Sequence, residues 1–197
     1  MAQAYASGTG VAHSWPSAFA WYKRCAAQPS PPIEVWAALG NCYELGSGAA
    51  VDETESVRLY RVGAALGDAR AQVRLASCLQ RGVGVPTPDR GDAFALFTAA
   101  AAQDYPDAMF ALGTCYADGA GVARDVPRAV SLWKRARAHP RCSPALAGAT
   151  GSILGMTFWN GDDGVPRDAE LAARYLRQAA ALGDEPAARL LREFRLA

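Results

Sequence analysis

The sequence of 197 residues has little net charge, few histidines and no long apolar segment. Its formal net charge is +1, so no strong electrostatic attraction to nucleic acid or to a membrane surface is expected. The two histidines, His13 and His139, stand far apart at helix edges, and we expect both to be solvated loop residues without a metal. No apolar run approaches the ~20 residues of a membrane span. The N-terminus has no basic segment followed by an apolar core, so no signal peptide is expected.

One pattern recurs five times along the chain and dominates what the sequence does contain. An aromatic or leucine anchor is followed by a pair of glycines, then by Asp or Ser, and then by a small and a large residue. The anchors stand 38, 36, 37 and 42 residues apart, at Tyr5, Tyr43, Leu79, Tyr116 and Phe158. A period in this range predicts a helical solenoid.

The glycine pair could belong to a phosphate-binding loop or to a turn between helices. A phosphate loop follows a strand, usually places a Lys after its last glycine and is needed once per site. Here the glycines follow helical segments and no Lys follows them. We therefore interpret the first glycine as a helix C-cap and the Asp or Ser slot as the next N-cap. The predicted N-caps are Ser14, Asp52, Asp125 and Asp168.

The same spacing predicts two antiparallel helices in each repeat. In the first helix of each pair, large residues form one stripe and a small residue, Gly or Ala, lies beside them. The small residue lets a neighbouring helix approach closely. The first helices are predicted at about 33–45, 69–81, 107–118, 146–159 and 185–196. The second helices are predicted at about 15–27, 53–66, 90–103, 126–138 and 169–182.

These residues resemble the Sel-one-like repeat (SLR) family, a relative of the tetratricopeptide repeat. The resemblance implies an all-α, right-handed superhelical solenoid of antiparallel helix pairs that scaffolds protein complexes and has no catalytic residues. It implies one domain over 1–197 with about five repeats, the first truncated. The expected repeats are roughly 1–30, 33–67, 69–104, 107–139 and 146–183, followed by a capping helix over 185–197.

Three of the five cysteines, Cys42, Cys78 and Cys115, occupy one slot immediately before an anchor. Equivalent positions on stacked helices lie ~8–10 Å apart, whereas a disulfide needs Cα atoms within ~7 Å. We therefore expect buried free thiols. Free thiols fit a reducing intracellular compartment, cytoplasmic or organellar.

One helix face is a candidate binding surface. Arg70, Arg74 and Arg81 fall within a ~40° arc on the predicted helix, opposite its packing stripe. They form either a solvated basic face or a patch that pairs with carboxylates of a partner, which Arg can bind bidentately. In neighbouring repeats, an exposed Phe110 would suit a peptide side chain, or it packs against the next repeat.

A polar slot on the first helices offers an alternative function. Asn41, Ser77 and Thr114 occupy equivalent positions, an arrangement that resembles RNA-binding pentatricopeptide repeats. The net charge of +1 argues against RNA, because phosphate neutralisation supplies most non-specific affinity.

The N-terminal repeat has more large aromatic side chains than its short first helix can cover. Trp15, Phe19, Trp21 and Tyr22 cannot all be buried by the residues present. An exposed aromatic cluster of this kind marks an interaction site, so we predict docking against another chain or a missing upstream repeat. The alternative is that the first hairpin frays.

The function that follows is a non-catalytic scaffold, adaptor or structural subunit of a larger assembly, with other proteins as partners. No cofactor, metal, nucleic acid or membrane is expected, and nothing meets the requirements of a catalytic site. The alternatives are an RNA-binding helical repeat, or a hydrolase-like member with a pocket inside the superhelix.

Overall fold

The computed structural model describes residues 2–10 and 12–194, with side chains from Tyr5 onward. It is an all-α repeat solenoid, and eleven helices account for the secondary structure of these residues apart from one isolated bridge. Contacts divide the chain into two compact units, Met1–Ala100 and Ala101–Ala197. None of the described helices combines the length and the apolar character that crossing a bilayer requires.

The first unit contains three helix pairs, and only the last two residues of the third pair lie past its boundary at Ala100. Its helices are α1 (Ala2–Ser7), α2 (Trp15–Ala26), α3 (Glu34–Leu45), α4 (Glu53–Ala65), α5 (Ala69–Arg81) and α6 (Arg90–Ala102). Val35, Leu39 and Leu59 form a buried cluster that partly buried aromatic side chains from α2 and α3 extend. Tyr60 is wholly buried, since Gly40 leaves room for its ring between α3 and α4.

The second unit repeats this packing. Its helices are α7 (Pro106–Asp118), α8 (Val126–Ala138), α9 (Pro144–Asn160), α10 (Ala169–Ala181) and α11 (Glu185–Glu193). Gly113 faces the Trp133 ring and Gly155 faces Leu176, as Gly40 faces Tyr60 in the first unit. A Cβ atom at any of these glycines would overlap the facing side chain. The small residue on the first helix of each of these repeats therefore makes room for the large side chain of the second helix.

One backbone hydrogen bond closes the hairpin in all five repeats. The N–H of the N-cap residue donates to the carbonyl of the anchor at 2.8–3.0 Å. The five pairs are Ser14 with Tyr5, Asp52 with Tyr43, Asp89 with Leu79, Asp125 with Tyr116, and Asp168 with Phe158. This bond explains why the cap follows the anchor after nine or ten residues in every repeat.

The predicted capping of the second helices is confirmed. Ser14, Asp52, Asp125 and Asp168 each accept a hydrogen bond from a backbone N–H three residues later. Gly46, Gly82 and Gly119 end first helices in the left-handed conformation. The fifth loop, which has an extra residue between its glycines, differs: Gly161 takes φ 69° and ψ 154°, and a bridge joins Asp162 and Val165.

The second glycine of the loop has a different task from the first. A Cβ atom on Gly48 would overlap the backbone carbonyl of Trp15, and one on Gly84 would overlap that of Glu53. Both carbonyls belong to the first residue of the second helix in the preceding repeat. The glycine pair therefore ends one helix and lets its loop rest on the preceding repeat. It is a turn between helices.

One turn departs from the repeat pattern, and one local expectation needs correction. The left-handed residue after α6 is Asp104, with φ 58°, in the slot that Gly67 and Gly183 occupy elsewhere. His139 is not solvated: its side chain is 11% exposed and its Nε2 lies 3.0 Å from Asp104 Oδ2. Its Nδ1 accepts a hydrogen bond from the backbone N–H of Arg141. His13 is exposed.

Candidate protein-interaction site

A cavity of about 260 Å³ opens on the first unit, between the end of α1, the start of α2 and the outer faces of α3 and α5. We call it the N-terminal cleft and define it by Trp15, Tyr22, Ala38, Asn41, Leu45 and Arg70. It brings together two groups that the sequence suggested separately, the N-terminal aromatic residues and the polar face of the first helices.

Local helix geometry explains why these side chains share one surface. Ala38, Asn41 and Leu45 follow one another at intervals of three and four residues along α3, so they form one stripe. The stripe Val35, Leu39 and Cys42 of the same helix is buried, although Cys42 also reaches the floor of the cleft. Trp15 is held at the first position of α2, where its carbonyl contacts the loop at Gly48.

Glu44 offsets part of the positive charge of the predicted basic face. Its carboxylate lies 3.9 Å from Arg74 Nη1 and 3.4 Å from Arg81 Nη2. The Tyr60 hydroxyl donates to Glu44 Oε2 at 2.6 Å. Burial, followed by the hydrogen bond to Glu44, raises the pKa of Tyr60 above its usual value. Two of the three arginines are therefore paired within the unit.

Arg70 is the exception on this face. It is exposed, and no carboxylate of the described residues lies within 4 Å of its guanidinium. Its own backbone N–H donates to Asp68 Oδ1 at 3.0 Å, which caps α5 and holds the residue at the rim. The N-terminal cleft thus carries one cation that is available to a ligand.

Asn41 adds a donor beside this cation. Its Oδ1 lies 3.1 Å from the Tyr60 hydroxyl, and in the described residues its Nδ2 has no protein acceptor. Ser47 also lines the cleft. Arg70, Asn41 and Ser47 can therefore supply donors to an anion or a carbonyl.

The four N-terminal aromatic residues take different positions. Phe19 and Tyr22 pack on the buried cluster of the first unit, and the Phe19 ring meets Tyr43 edge to face at 5.3 Å. Trp21 lies under the Arg24 guanidinium at 4.7 Å. Trp15 is 41% exposed. Only Trp15 and part of Tyr22 are therefore presented to a ligand in the cleft.

The remaining predicted residues lie outside the cleft and have local partners. The Ser77 hydroxyl donates to the Val73 carbonyl at 3.0 Å, and the Thr114 hydroxyl donates to the Phe110 carbonyl at 3.2 Å. Phe110 is half-buried, and its carbonyl also accepts from Trp133 Nε1. Because these hydroxyls serve their own helices, they are poorly placed to read bases.

The second unit has a larger cavity, of about 420 Å³, near Arg124, Arg128 and Asp163. Its cations are engaged: Arg124 contacts Asp162 at 2.5 Å and Asp163 at 2.7 Å, and Arg128 lies over the Tyr116 ring at 4.6 Å. We call the pairing of Arg124 with Asp162 and Asp163 the clasp. Neither the clasp nor the role of Glu44 could be predicted from the sequence, since both depend on residues about one repeat apart.

Comparison with known proteins places the chain in a family. The Sel1 repeat family model matches residues 1–30, 37–68, 69–105, 106–139 and 153–184. A protective antigen of uropathogenic Escherichia coli with an SLR fold is 28% identical, with a TM-score of 0.76 over 95% of this chain. The chain spans 38% of that antigen's length.

Two further solved structures are similar. A Sel1 repeat protein from Oxalobacter formigenes is 27% identical, with a TM-score of 0.80, over 96% of this chain and 74% of its own. A Sel1 repeat protein from Klebsiella pneumoniae is 22% identical, with a TM-score of 0.60, over 98% of this chain and 88% of its own, and shows the shared fold. Such repeats generally form protein–protein interaction scaffolds. With five matched repeats, this chain belongs to the Sel1 repeat family.

Proposed function

We propose that the chain is a non-catalytic adaptor or structural subunit that binds another protein through the N-terminal cleft. The observation that supports this is the coincidence, in one cavity, of exposed apolar side chains with an unpaired cation. Trp15 is 41% and Leu45 is 64% exposed, and Arg70 stands beside them. Apolar surface rimmed by polar groups is typical of interaction sites, and repeat proteins use extended surfaces for binding.

The packing around the cleft supports binding without a large rearrangement. Tyr60, behind Asn41, is wholly buried and bonded to Glu44. The helices that carry Asn41 and Arg70 therefore rest on a fixed core. Rigid interface elements lower the ordering cost of association.

Site-specific photo-crosslinking tests the proposal on the full chain in its native cell. A photoreactive residue replaces Leu45 at the rim, and the matched control replaces Leu182, which is 44% exposed in the second unit. We expect the Leu45 probe to crosslink a defined protein that the Leu182 probe does not. Identical crosslinked products from both positions, or RNA as the main product at Leu45, would refute the proposal.

A further inference from the structure

The chemistry of the N-terminal cleft identifies a class of partner. We propose that it binds a peptide segment in which an acidic side chain stands next to a large apolar side chain. This inference rests on the proposed function and makes it more specific. The apolar side chain enters the cavity and the carboxylate meets Arg70.

The apolar half of the cleft is shaped for a side chain. Trp15 and Leu45 stand at the rim, and Tyr22 and Ala38 line the cavity. The volume of about 260 Å³ is many times the ~10–15 Å³ that holds a single water molecule, so one large apolar side chain fits. Its entry would cover Trp15 and Leu45, the two exposed large apolar residues of the lining.

The charged half of the cleft favours a negatively charged side chain on the partner. Among the described lining residues, Arg70 carries the one full charge at neutral pH. The neighbouring Arg74 and Arg81 both pair with the Glu44 carboxylate. Arg70 does not share this carboxylate. Asn41 Nδ2 and the Ser47 hydroxyl add neutral donors. A carboxylate gains a charge-assisted hydrogen bond here, whereas a basic side chain would be repelled.

A peptide fits these features better than a nucleic acid does. Nucleic-acid affinity comes from several cations that neutralise successive phosphates, and the cleft offers one. Its exposed apolar rim has no counterpart in a phosphate backbone. A single carboxylate beside an apolar group matches both halves.

The test is an NMR titration of the full 15N-labelled chain with capped tetrapeptides. The probes are acetyl-Gly-Phe-Glu-Gly-amide and its variants with Gln or Lys in place of Glu. We follow the Trp15 indole and Arg70 side-chain signals. Because a charged hydrogen bond exceeds a neutral one by roughly 1 kcal/mol, we expect the Glu peptide to bind about five- to tenfold more tightly than the Gln peptide.

Two variants assign the effect to Arg70. R70Q is expected to bind the Glu and Gln peptides with equal affinity, because the ionic part of the interaction with Glu is lost. R61Q is the control, because Arg61 is an exposed arginine of α4 that does not line the cleft, and it should keep the wild-type preference. Thermal melting of each variant verifies folding.

Several results would overturn the inference. In the wild type they are equal affinity for the Glu and Gln peptides, tighter binding of the Lys peptide, or no binding at millimolar peptide. Chemical-shift changes that do not involve Trp15 and Arg70 would also overturn it, as would an undiminished preference of R70Q for the Glu peptide. Displacement of the peptide by an oligouridine octamer, dependent on Arg70, would favour RNA instead. A protein crosslinked from position 45 without any preference for the Glu peptide would refute the peptide class alone and leave the proposed function standing.

Discussion

At the scale of single residues, the two glycines of a loop meet different constraints. Gly46 and Gly48 both have positive φ, of 67° and 80°, which favours glycine at each. Gly48 also meets the backbone of the preceding repeat, where any Cβ is excluded by contact. A substitution at the second glycine therefore disturbs packing between repeats as well as the local turn.

This distinction predicts that Gly84→Ala is more destabilising than Gly67→Ala. Gly67 has φ 89° and nothing within 4 Å of an added Cβ, whereas a Cβ on Gly84 would overlap the carbonyl of Glu53. The shared backbone strain costs about 1–3 kcal/mol, and overpacking adds about 1–3 kcal/mol for Gly84→Ala. Urea unfolding of both variants measures the difference. Equal losses would contradict the packing role of the second glycine.

The buried thiols predict a pH dependence of stability. Burial raises the pKa of Cys115 to about 11, from an ordinary value of 9.0. Between these values the folded state keeps its proton while the unfolded state releases it, so stability falls as pH rises. The slope from this one thiol reaches at most about 1.4 kcal/mol per pH unit.

The Cys115→Ala variant tests this linkage. Its free energy of unfolding should decline less steeply than that of the wild type between pH 9 and 11. Between pH 6 and 8 the two curves should be parallel, because the thiol is protonated in both states there. Parallel curves across the whole range would show that Cys115 does not titrate differently on folding.

At the scale of helices and loops, one cap does more than the others. Asp184 Oδ1 accepts from the backbone N–H of Ala187 at the start of α11 and also from the Ser152 hydroxyl of α9. Asp168 caps α10 alone and is exposed. Ser152 is 7% exposed, so loss of its acceptor leaves a buried donor unsatisfied.

We therefore expect Asp184→Ala to cost more than Asp168→Ala. Loss of a cap costs about 0.5–2 kcal/mol, and the unsatisfied Ser152 hydroxyl adds about 1–3 kcal/mol. Chemical denaturation of both variants gives the comparison. The double variant Asp184→Ala, Ser152→Ala should recover part of the loss; no recovery would refute the coupling.

The clasp in the second unit predicts a local pKa change. A hydrogen bond from Arg124, followed by one from the Asp163 backbone N–H, holds the pKa of Asp162 below its ordinary value. The stabilisation it provides is present above the ordinary pKa and is lost as pH falls. In Arg124→Gln the pKa of Asp162 should rise, as measured by NMR titration of the carboxyl carbon. Arg128→Gln, which removes a cation placed over Tyr116, should leave it unchanged.

The sequence predicted the helices well because each hairpin is encoded locally. Anchor, glycine and cap residues lie within one loop, and their spacing matches the closing bond, as between Tyr43 and Asp52. The pairing of Glu44 with Arg81 could not be predicted, because it joins residues 37 apart. Asp104 was missed because aspartate replaces the glycine normally found at that left-handed position. The N-terminal cleft depends both on contacts within one hairpin and on contacts between residues of different repeats.

At the scale of the whole molecule, stability in a repeat array is the sum of local terms and contacts between neighbours. The array should therefore open helix by helix, and the free energy of each opening should follow the side chains that a helix buries. The helices differ strongly in this respect. Of its 12 residues, α2 buries only Ala18, whereas α4 buries five of its 13.

Hydrogen exchange should therefore find α2 to be less protected than α4. Mass spectrometry of peptides covering 15–26 and 53–65 in the full native chain gives the comparison. The two helices have similar lengths and each has a side-chain N-cap, so burial is the main difference between them. Equal protection would refute the link between burial and local opening.

The same measurement locates the partner. Because Trp15 and Tyr22 of α2 line the N-terminal cleft, a bound partner should raise the protection of 15–26 and leave that of 126–138 unchanged. Unchanged protection of 15–26 in the complex would place the partner elsewhere.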